Sequence, residues 1–159
     1  MKTFTDLTEN ELDLTVEAAM DKADLSDEEL LAVLDHLDSE QSKQIESKEF
    51  GIIDQDFKTL LAQSESYFQM GKTLPKGLLG GFWKKFNKKA KDIICKNEDI
   101  IDFMNGNSNN LSLKSTLKTV IPWVVSALGI SALTPLTLAI VIGALAYLSK
   151  IGFNAYCEI

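Results

Sequence analysis

Three side chains in this sequence are the usual candidates for covalent or metal chemistry: Cys95, Cys157 and His36. His36 is the only histidine, and it lies in an acidic stretch far along the chain from either cysteine. A Cys–His nucleophile pair needs the base within hydrogen-bonding reach of the thiol, and a zinc site needs several ligands at short spacing. No glycine pattern of the phosphate-binding kind is present. We therefore expect no catalytic residues, no metal site and no cofactor.

The two cysteines admit two interpretations. If the C-terminal part works outside the cell, Cys95 and Cys157 can form one disulfide, because secreted proteins meet oxidising conditions. If it stays inside, they are two unpaired apolar thiols. The sequence alone leaves both open.

The clearest chemical pattern is a cluster of lysines after residue 81. On a helix over residues 82–94, apolar side chains occupy one side and ammonium groups the other, as in a helix that lies at a membrane surface. The predicted membrane-surface residues are Phe82, Trp83, Lys84, Lys85, Phe86, Lys88 and Lys89. The alternative is an ordinary surface helix with a solvated basic face. All sixteen basic residues are Lys, and base recognition favours Arg, so anionic lipid is a better partner than nucleic acid.

Charge divides the chain at Gly80-Gly81. The net charge of −7 combines eighteen acids against seven Lys before residue 82 with nine Lys against five acids after it. Residues 71–81 contain four glycines and Pro75, which predicts an exposed linker. The sequence thus predicts an acidic region over residues 1–81 and a cationic, membrane-active region over residues 82–159.

The fold class is predicted to be all-α, because no strand-like alternation is present. Thr8 and Ser26 each begin a capping box, which predicts two helices in the acidic region. A third helix is predicted from about Ile52 to Met70. The apolar stripes of these helices are Leu12, Val16, Ala19, Met20 and Ala23, then Leu30, Val33, Leu34 and Leu37, then Ile53, Phe57, Leu60, Leu61 and Phe68. We interpret these stripes as core positions.

A stretch of 31 residues, 119–149, carries no charged side chain. Thr134 before Pro135 predicts a helix start, and Gly129 predicts the end of the preceding helix. The result is an apolar hairpin over residues 117–149, with arms at 117–128 and 135–149. Ala139 and Gly143 form a small-residue face on which we expect the two arms to pack closely.

The surroundings of this hairpin bear on function. A helix that is apolar all round must be enclosed by protein or by lipid. Residues 82–159 supply little material to wrap two such helices, so we expect lipid, with a buried protein core as the alternative. The predicted membrane-insertion residues are Trp123, Gly129, Pro135, Ile140 and Gly143.

Several segments resemble precursors of helical pore-forming bacteriocins. Leu78-Leu79-Gly80-Gly81 is similar to the end of a double-glycine leader, and the segment 25–30 is similar to the acidic, leucine-rich helix of such leaders. Residues 122–153 contain small residues, a central break and then Lys150, and in these features they are similar to the pore-forming product. The resemblance implies cleavage after Gly81 by a peptidase-bearing exporter and an inactive precursor. It also implies a secreted antimicrobial peptide that can form homo-oligomers in membranes.

Two other functions remain open. One is an intracellular two-part effector or toxin, cytoplasmic and membrane-associated, with a helical sensor or adaptor domain. The other is a soluble helical interaction module with the hairpin buried. The first 23 residues are acidic and amphipathic, so we expect no secretory signal peptide there.

Overall fold

The computed structural model describes residues 3–47, 56–72, 81–104, 112–130 and 132–157. Within these ranges the chain is helical and contains no β-strand, which confirms the all-α prediction. The helices are α1 (Glu9–Lys22), α2 (Asp27–Ser47), α3 (Phe57–Lys72), α4 (Gly81–Cys95), α5 (Glu98–Met104), α6 (Leu113–Leu128), α7 (Pro135–Ile151) and α8 (Phe153–Cys157). A 3-10 turn at Phe4–Asp6 precedes them, and an isolated antiparallel β-bridge joins Thr3 to Ala132.

The predicted capping box at Thr8 forms with both of its bonds, and at Ser26 the hydroxyl accepts the amide bond that the second box requires. The Thr8 amide donates to Glu11 Oε1 at 2.9 Å, and the Glu11 amide donates back to Thr8 Oγ1 at 3.2 Å. At the start of α2, the Glu29 amide donates to Ser26 Oγ at 3.2 Å. Each interaction satisfies amide donors that the first turn of a helix leaves unpaired.

The third helix and the linker differ from the prediction. The described helix begins at Phe57, where Asp56 Oδ1 accepts the Thr59 amide at 2.8 Å; Ile52 and Ile53 lie outside the described residues. The predicted linker over residues 71–81 is too long at both ends, because Gly71 is helical in α3 and Gly81 is helical in α4. At Gly71 a Cβ would come within 3.2 Å of Val33, so this glycine serves close helix packing rather than a break.

The hairpin has the predicted corner and longer arms. Gly129 ends α6 in the left-handed conformation with φ of 68°, and Thr134 caps α7 with Pro135 in its first turn. The first arm begins at Leu113 rather than residue 117, because Ser112 Oγ accepts the Ser115 amide and caps the helix there. The second arm continues to Ile151, two residues beyond the prediction.

The core is built around α7 and draws on both halves of the sequence. From α1 and α2 it takes Val16, Ala19, Leu30, Val33, Leu34 and Leu37, all fully buried. Met20 was predicted to share the α1 face but is 39% exposed, and Thr15 is buried instead. The Thr15 hydroxyl donates to the Glu11 carbonyl at 2.8 Å, which satisfies it within the helix.

Candidate functional site

The candidate functional site is helix α7 together with the elements that enclose it. Residues 136–146 of α7 are all buried, and Ile140 has no exposed surface. Helices α1, α2 and α3 of the acidic part, residues 1–81, pack against α7. Helices α6 and α8 of the basic part, residues 82–159, pack against it as well. The wrapping that residues 82–159 cannot supply alone therefore comes from residues before the linker. We call α1, α2 and α3 the cover helices.

Gly143 faces the cover helices and not the other arm of the hairpin. A Cβ built on Gly143 would lie 2.7 Å from Leu34 Cδ2 of α2 and 3.3 Å from Phe68 Cε2 of α3. The prediction that this glycine brings the two arms together is wrong. The small residue is needed because side chains of two cover helices meet the α7 backbone there.

A groove between α1 and α3 reaches α7 from the surface. Its volume is about 390 Å³, and Leu14, Ala18 and Leu61 are among its walls. Ile142 of α7 also lines it, while remaining only 3% exposed. Lys58 and Glu65 contribute the charged groups of its lining.

Acids of α1 pair with lysines of α6. Lys114 Nζ lies 2.8 Å from Glu17 Oε1, and Lys118 Nζ lies 2.8 Å from Glu9 Oε2 and 2.9 Å from Asp13 Oδ1. Glu9, Asp13 and Glu17 are spaced by four residues, so they form one stripe along α1, and the two lysines repeat that spacing on α6. The two stripes fix the register of a cover helix on the hairpin.

These pairs shift the protonation equilibria of their members. Hydrogen bonding to Glu17 raises the pKa of Lys114, and hydrogen bonding to Glu9 and Asp13 raises the pKa of Lys118. The hydrogen bond from Lys118 lowers the pKa of Asp13. All of these groups are open to water, where such pairs add little stability. These ion pairs orient α1 on α6, whereas the burial of apolar side chains keeps the cover helices packed on α7.

Two further lysines of the basic part reach α2 and the turn before it. Lys85 Nζ lies 3.7 Å from Asp38 Oδ2, and Lys150 Nζ lies 3.8 Å from Asp27 Oδ1. Lys150 also donates to the carbonyl of Leu25. Acidic residues of α1 and α2 thus pair with lysines of α4, α6 and α7.

Helix α4 is amphipathic as predicted, but its apolar side packs into the protein. Phe82 and Phe86 are 5% and 2% exposed, and their rings are stacked with centroids 6.2 Å apart. Trp83 is half-buried, with its ring centroid 4.5 Å from that of Tyr147 and 5.9 Å from that of Tyr156. In this arrangement the aromatic side chains face protein, while Lys84, Lys85, Lys88 and Lys89 are exposed.

The first turn of α4 is held by α2. Gly81 begins the helix and is exposed, and the amide of Phe82 donates to Asp35 Oδ1 at 2.9 Å. A Cβ on Gly81 would meet nothing nearer than that same carboxylate oxygen at 3.9 Å. Gly80, the other half of the predicted cleavage pair, lies outside the described residues. The bond after Gly81 is therefore inside a helix whose second residue is buried.

Cys95 and Cys157 are joined in a disulfide, with their Cα atoms 5.6 Å apart. It ties the end of α4 to α8, and both halves belong to the basic part of the chain. Neither sulfur is then a thiol nucleophile, so the Cys–His pair considered above does not form. The Nε2 atom of His36 is buried and has no hydrogen-bond partner among the described groups.

The remaining predicted insertion residue, Trp123, is 39% exposed on α6. Within the described ranges, no helix combines the length and the apolar composition required to cross a membrane. The same part of the chain contains no group of three or more His, Cys, Asp or Glu side chains placed to hold a metal ion.

Asp35 and the charge stripes of α1 and α6 were not identified from the sequence. The four-residue spacing of Glu9, Asp13 and Glu17 is visible there, as is that of Lys114 and Lys118. Comparing the two stripes could have suggested a helix pair. Nothing in the sequence distinguishes Asp35 from the neighbouring acids, because its role depends on where α4 docks.

The chain was compared with protein-family models, with curated proteins and with solved structures, and none of the three comparisons gave a match.

Proposed function

We propose that this chain is the inactive precursor of a membrane-permeabilising peptide of the bacteriocin type. The observation that carries the proposal is the enclosure of α7. Over residues 136–149 of this 17-residue helix every side chain is apolar, small or hydroxylated, and α1, α2 and α3 of the acidic part all pack against it. Removing the cover helices would leave that surface to water, and lipid is the alternative apolar environment.

The division of charge supports the same proposal. Lys85, Lys114, Lys118 and Lys150 of the basic part are paired with acids before the linker. Separation would free these ammonium groups, and each lysine near an anionic surface contributes on the order of 1 kcal/mol of attraction. The paired acids thus oppose membrane binding in the precursor.

The disulfide also fits a two-piece product. It lies entirely within residues 82–159, so a cut near Gly81 would leave no covalent link between the two pieces. The same bond would keep α4 and α8 together in the released piece. In the proposed mechanism the lysines gather the peptide on anionic lipid, Trp83 and Phe86 anchor at the interface, and the hairpin inserts and oligomerises.

Dye release from anionic vesicles tests this proposal. We expect the disulfide-closed piece 82–159 to release dye, the intact chain to release little, and added piece 1–81 to suppress release. Ile140→Lys in the piece should abolish release while surface binding persists, because a charge at the bilayer centre costs about 2.5–3.5 kcal/mol. Binding without release by the unaltered piece over a wide concentration range would refute the proposal.

A soluble helical interaction module is the second candidate. The close approach of Leu34 and Phe68 to Gly143 favours this second candidate, because such close packing is typical of a protein core. In this case α7 never leaves the bundle. The intact chain would be the active form, and the vesicle assay would show no release from either the chain or the piece.

A further inference from the structure

The contact between Asp35 and Phe82 changes character if the chain is cut after Gly81. In the intact chain a neutral peptide amide donates to the carboxylate at 2.9 Å. Hydrolysis adds one water across the Gly81–Phe82 bond, which leaves a carboxylate on Gly81 and an ammonium group on Phe82. The donor that faces Asp35 then carries a full positive charge.

We propose that Asp35 is the binding site for the new amino terminus at Phe82, so that the cut strengthens this contact and the two pieces stay associated. The inference rests on the proposed function, because it takes the cleavage position from there. Hydrogen bonds between charged partners are roughly twice as strong as neutral ones. The Gly81 carboxylate, repelled by Asp35, leaves with the preceding segment.

The surroundings of Phe82 favour retention of the terminus. Its side chain is 5% exposed and stacked on Phe86, which fixes the position of the backbone nitrogen. A positive terminus at the start of a helix is opposed by the helix dipole, and the Asp35 carboxylate offsets that repulsion. Lys85 and Asp38 pair one turn further along the same two helices.

Regulation follows from this arrangement. Cleavage alone would leave α7 enclosed, since the cover helices keep their apolar contacts and gain an ion pair at Phe82. Release of the basic piece then requires a second event that competes for α7, and an anionic lipid surface supplies the matching chemistry. The cut thus removes the covalent link between the two pieces, and binding to the membrane separates the basic piece from the cover helices.

The test uses the full chain with Lys76→Glu, Gly77→Asn, Leu79→Tyr, Gly80→Phe and Gly81→Gln. Together with Leu78 these changes create a TEV protease site whose cleavage leaves Phe82 as the first residue, and the side chain at 81, which lies beside Asp35, stays uncharged. Asp35→Asn is compared with Asp38→Asn, the matched control on the same face of α2, in cut and uncut chains. Association of the cut pieces is measured by sedimentation and by tryptophan fluorescence, and the stability of the uncut chain is measured by urea unfolding.

We expect the cut pieces to remain associated. Asp35→Asn should weaken their association about five- to tenfold more than it lowers the folding equilibrium constant of the uncut chain, because the cut adds a positive charge at the Phe82 nitrogen that faces residue 35. Asp38→Asn should have equal effects in both. Equal effects of Asp35→Asn in cut and uncut chains, or separation of the pieces on cutting, would overturn the inference. Either result leaves the dye-release test of the proposed function unaffected.

Discussion

Replacing Gly143 by alanine should destabilise the intact chain, although the same change in an open helix is stabilising. Alanine in place of glycine in a helix interior gains about 0.8–1.0 kcal/mol of helix propensity. Here the added Cβ would lie 2.7 Å from Leu34 Cδ2, and ordinary contact begins near 3.4 Å. Leu34 has no exposed surface, so its side chain must shift within the core and not into solvent to make room.

Inserting a methyl group into a well-packed core costs about 1–3 kcal/mol. Subtracting the propensity gain predicts that Gly143→Ala lowers the free energy of unfolding by up to about 2 kcal/mol. Urea unfolding of the oxidised chain, followed by circular dichroism, measures this change. A gain in stability near 1 kcal/mol would refute the packing argument, because that is the result for a glycine with open space beside it.

Leu34→Val provides the internal control, since valine lacks the Cδ atoms that block the site. By itself it should cost about 0.5–1.5 kcal/mol, as other losses of one buried methylene do. In its presence Gly143→Ala should become neutral or stabilising. A coupling energy of at least about 1 kcal/mol between the two positions is therefore expected. Strictly additive effects would show that Leu34 is not the obstacle.

Three further outcomes are expected from the same unfolding assay. Replacing Cys95 and Cys157 by serine should cost roughly 4 kcal/mol in the chain-entropy estimate for a separation of 62 residues; an unchanged urea midpoint would contradict this. Burial raises the pKa of Glu65, but the hydrogen bonds from Lys22 and Gln69 outweigh it and hold that pKa below its usual value. The ionised Glu65 carboxylate therefore stabilises the folded chain at neutral pH, and this contribution is lost as the pH falls through the folded pKa. Glu65→Gln should remove the contribution, and the loss should be below about 1 kcal/mol because the Glu65 side chain is 46% exposed. Lys118→Gln should lower the midpoint and its salt sensitivity, whereas Lys88→Gln on the exposed face of α4 should leave both unchanged.

Local signals in the sequence predicted the local features of the fold. The capping box at Thr8, the side-chain cap at Ser26, the start of α7 at Thr134-Pro135 and the end of α6 at Gly129 each depend on a few neighbouring residues. Such interactions are already determined within one helical turn. Helices α5 and α8 were not predicted, because 7 and 5 residues are too few to establish a helical period.

Features that depend on distant residues could not be predicted in this way. The apolar stripe of α2 shows that Leu34 is buried but not that it lies against Gly143. In the same way, the periodicity of α4 separates Phe82 and Phe86 from the lysines without showing whether protein or lipid covers the two rings. The candidate site consists mostly of such distant contacts. The apolar residues of α4 and α7 were identified from the sequence, whereas their partners, Asp35 and the charge stripe of α1 were not.

The enclosure of α7 also determines what could control a move into a membrane. Burial in a protein core and burial in lipid both remove apolar surface from water, so the hydrophobic effect alone favours neither strongly. The difference lies in the specific contacts of the bundle: the close fit of Leu34 and Phe68 on Gly143, and the pairing of α6 lysines with α1 acids. An anionic surface offers those lysines new partners but offers nothing in place of the fit at Gly143. A change that loosens this fit, such as Gly143→Ala, should therefore increase dye release by the intact chain if α7 is the inserting element. The same change should leave release at zero if the bundle is the working form.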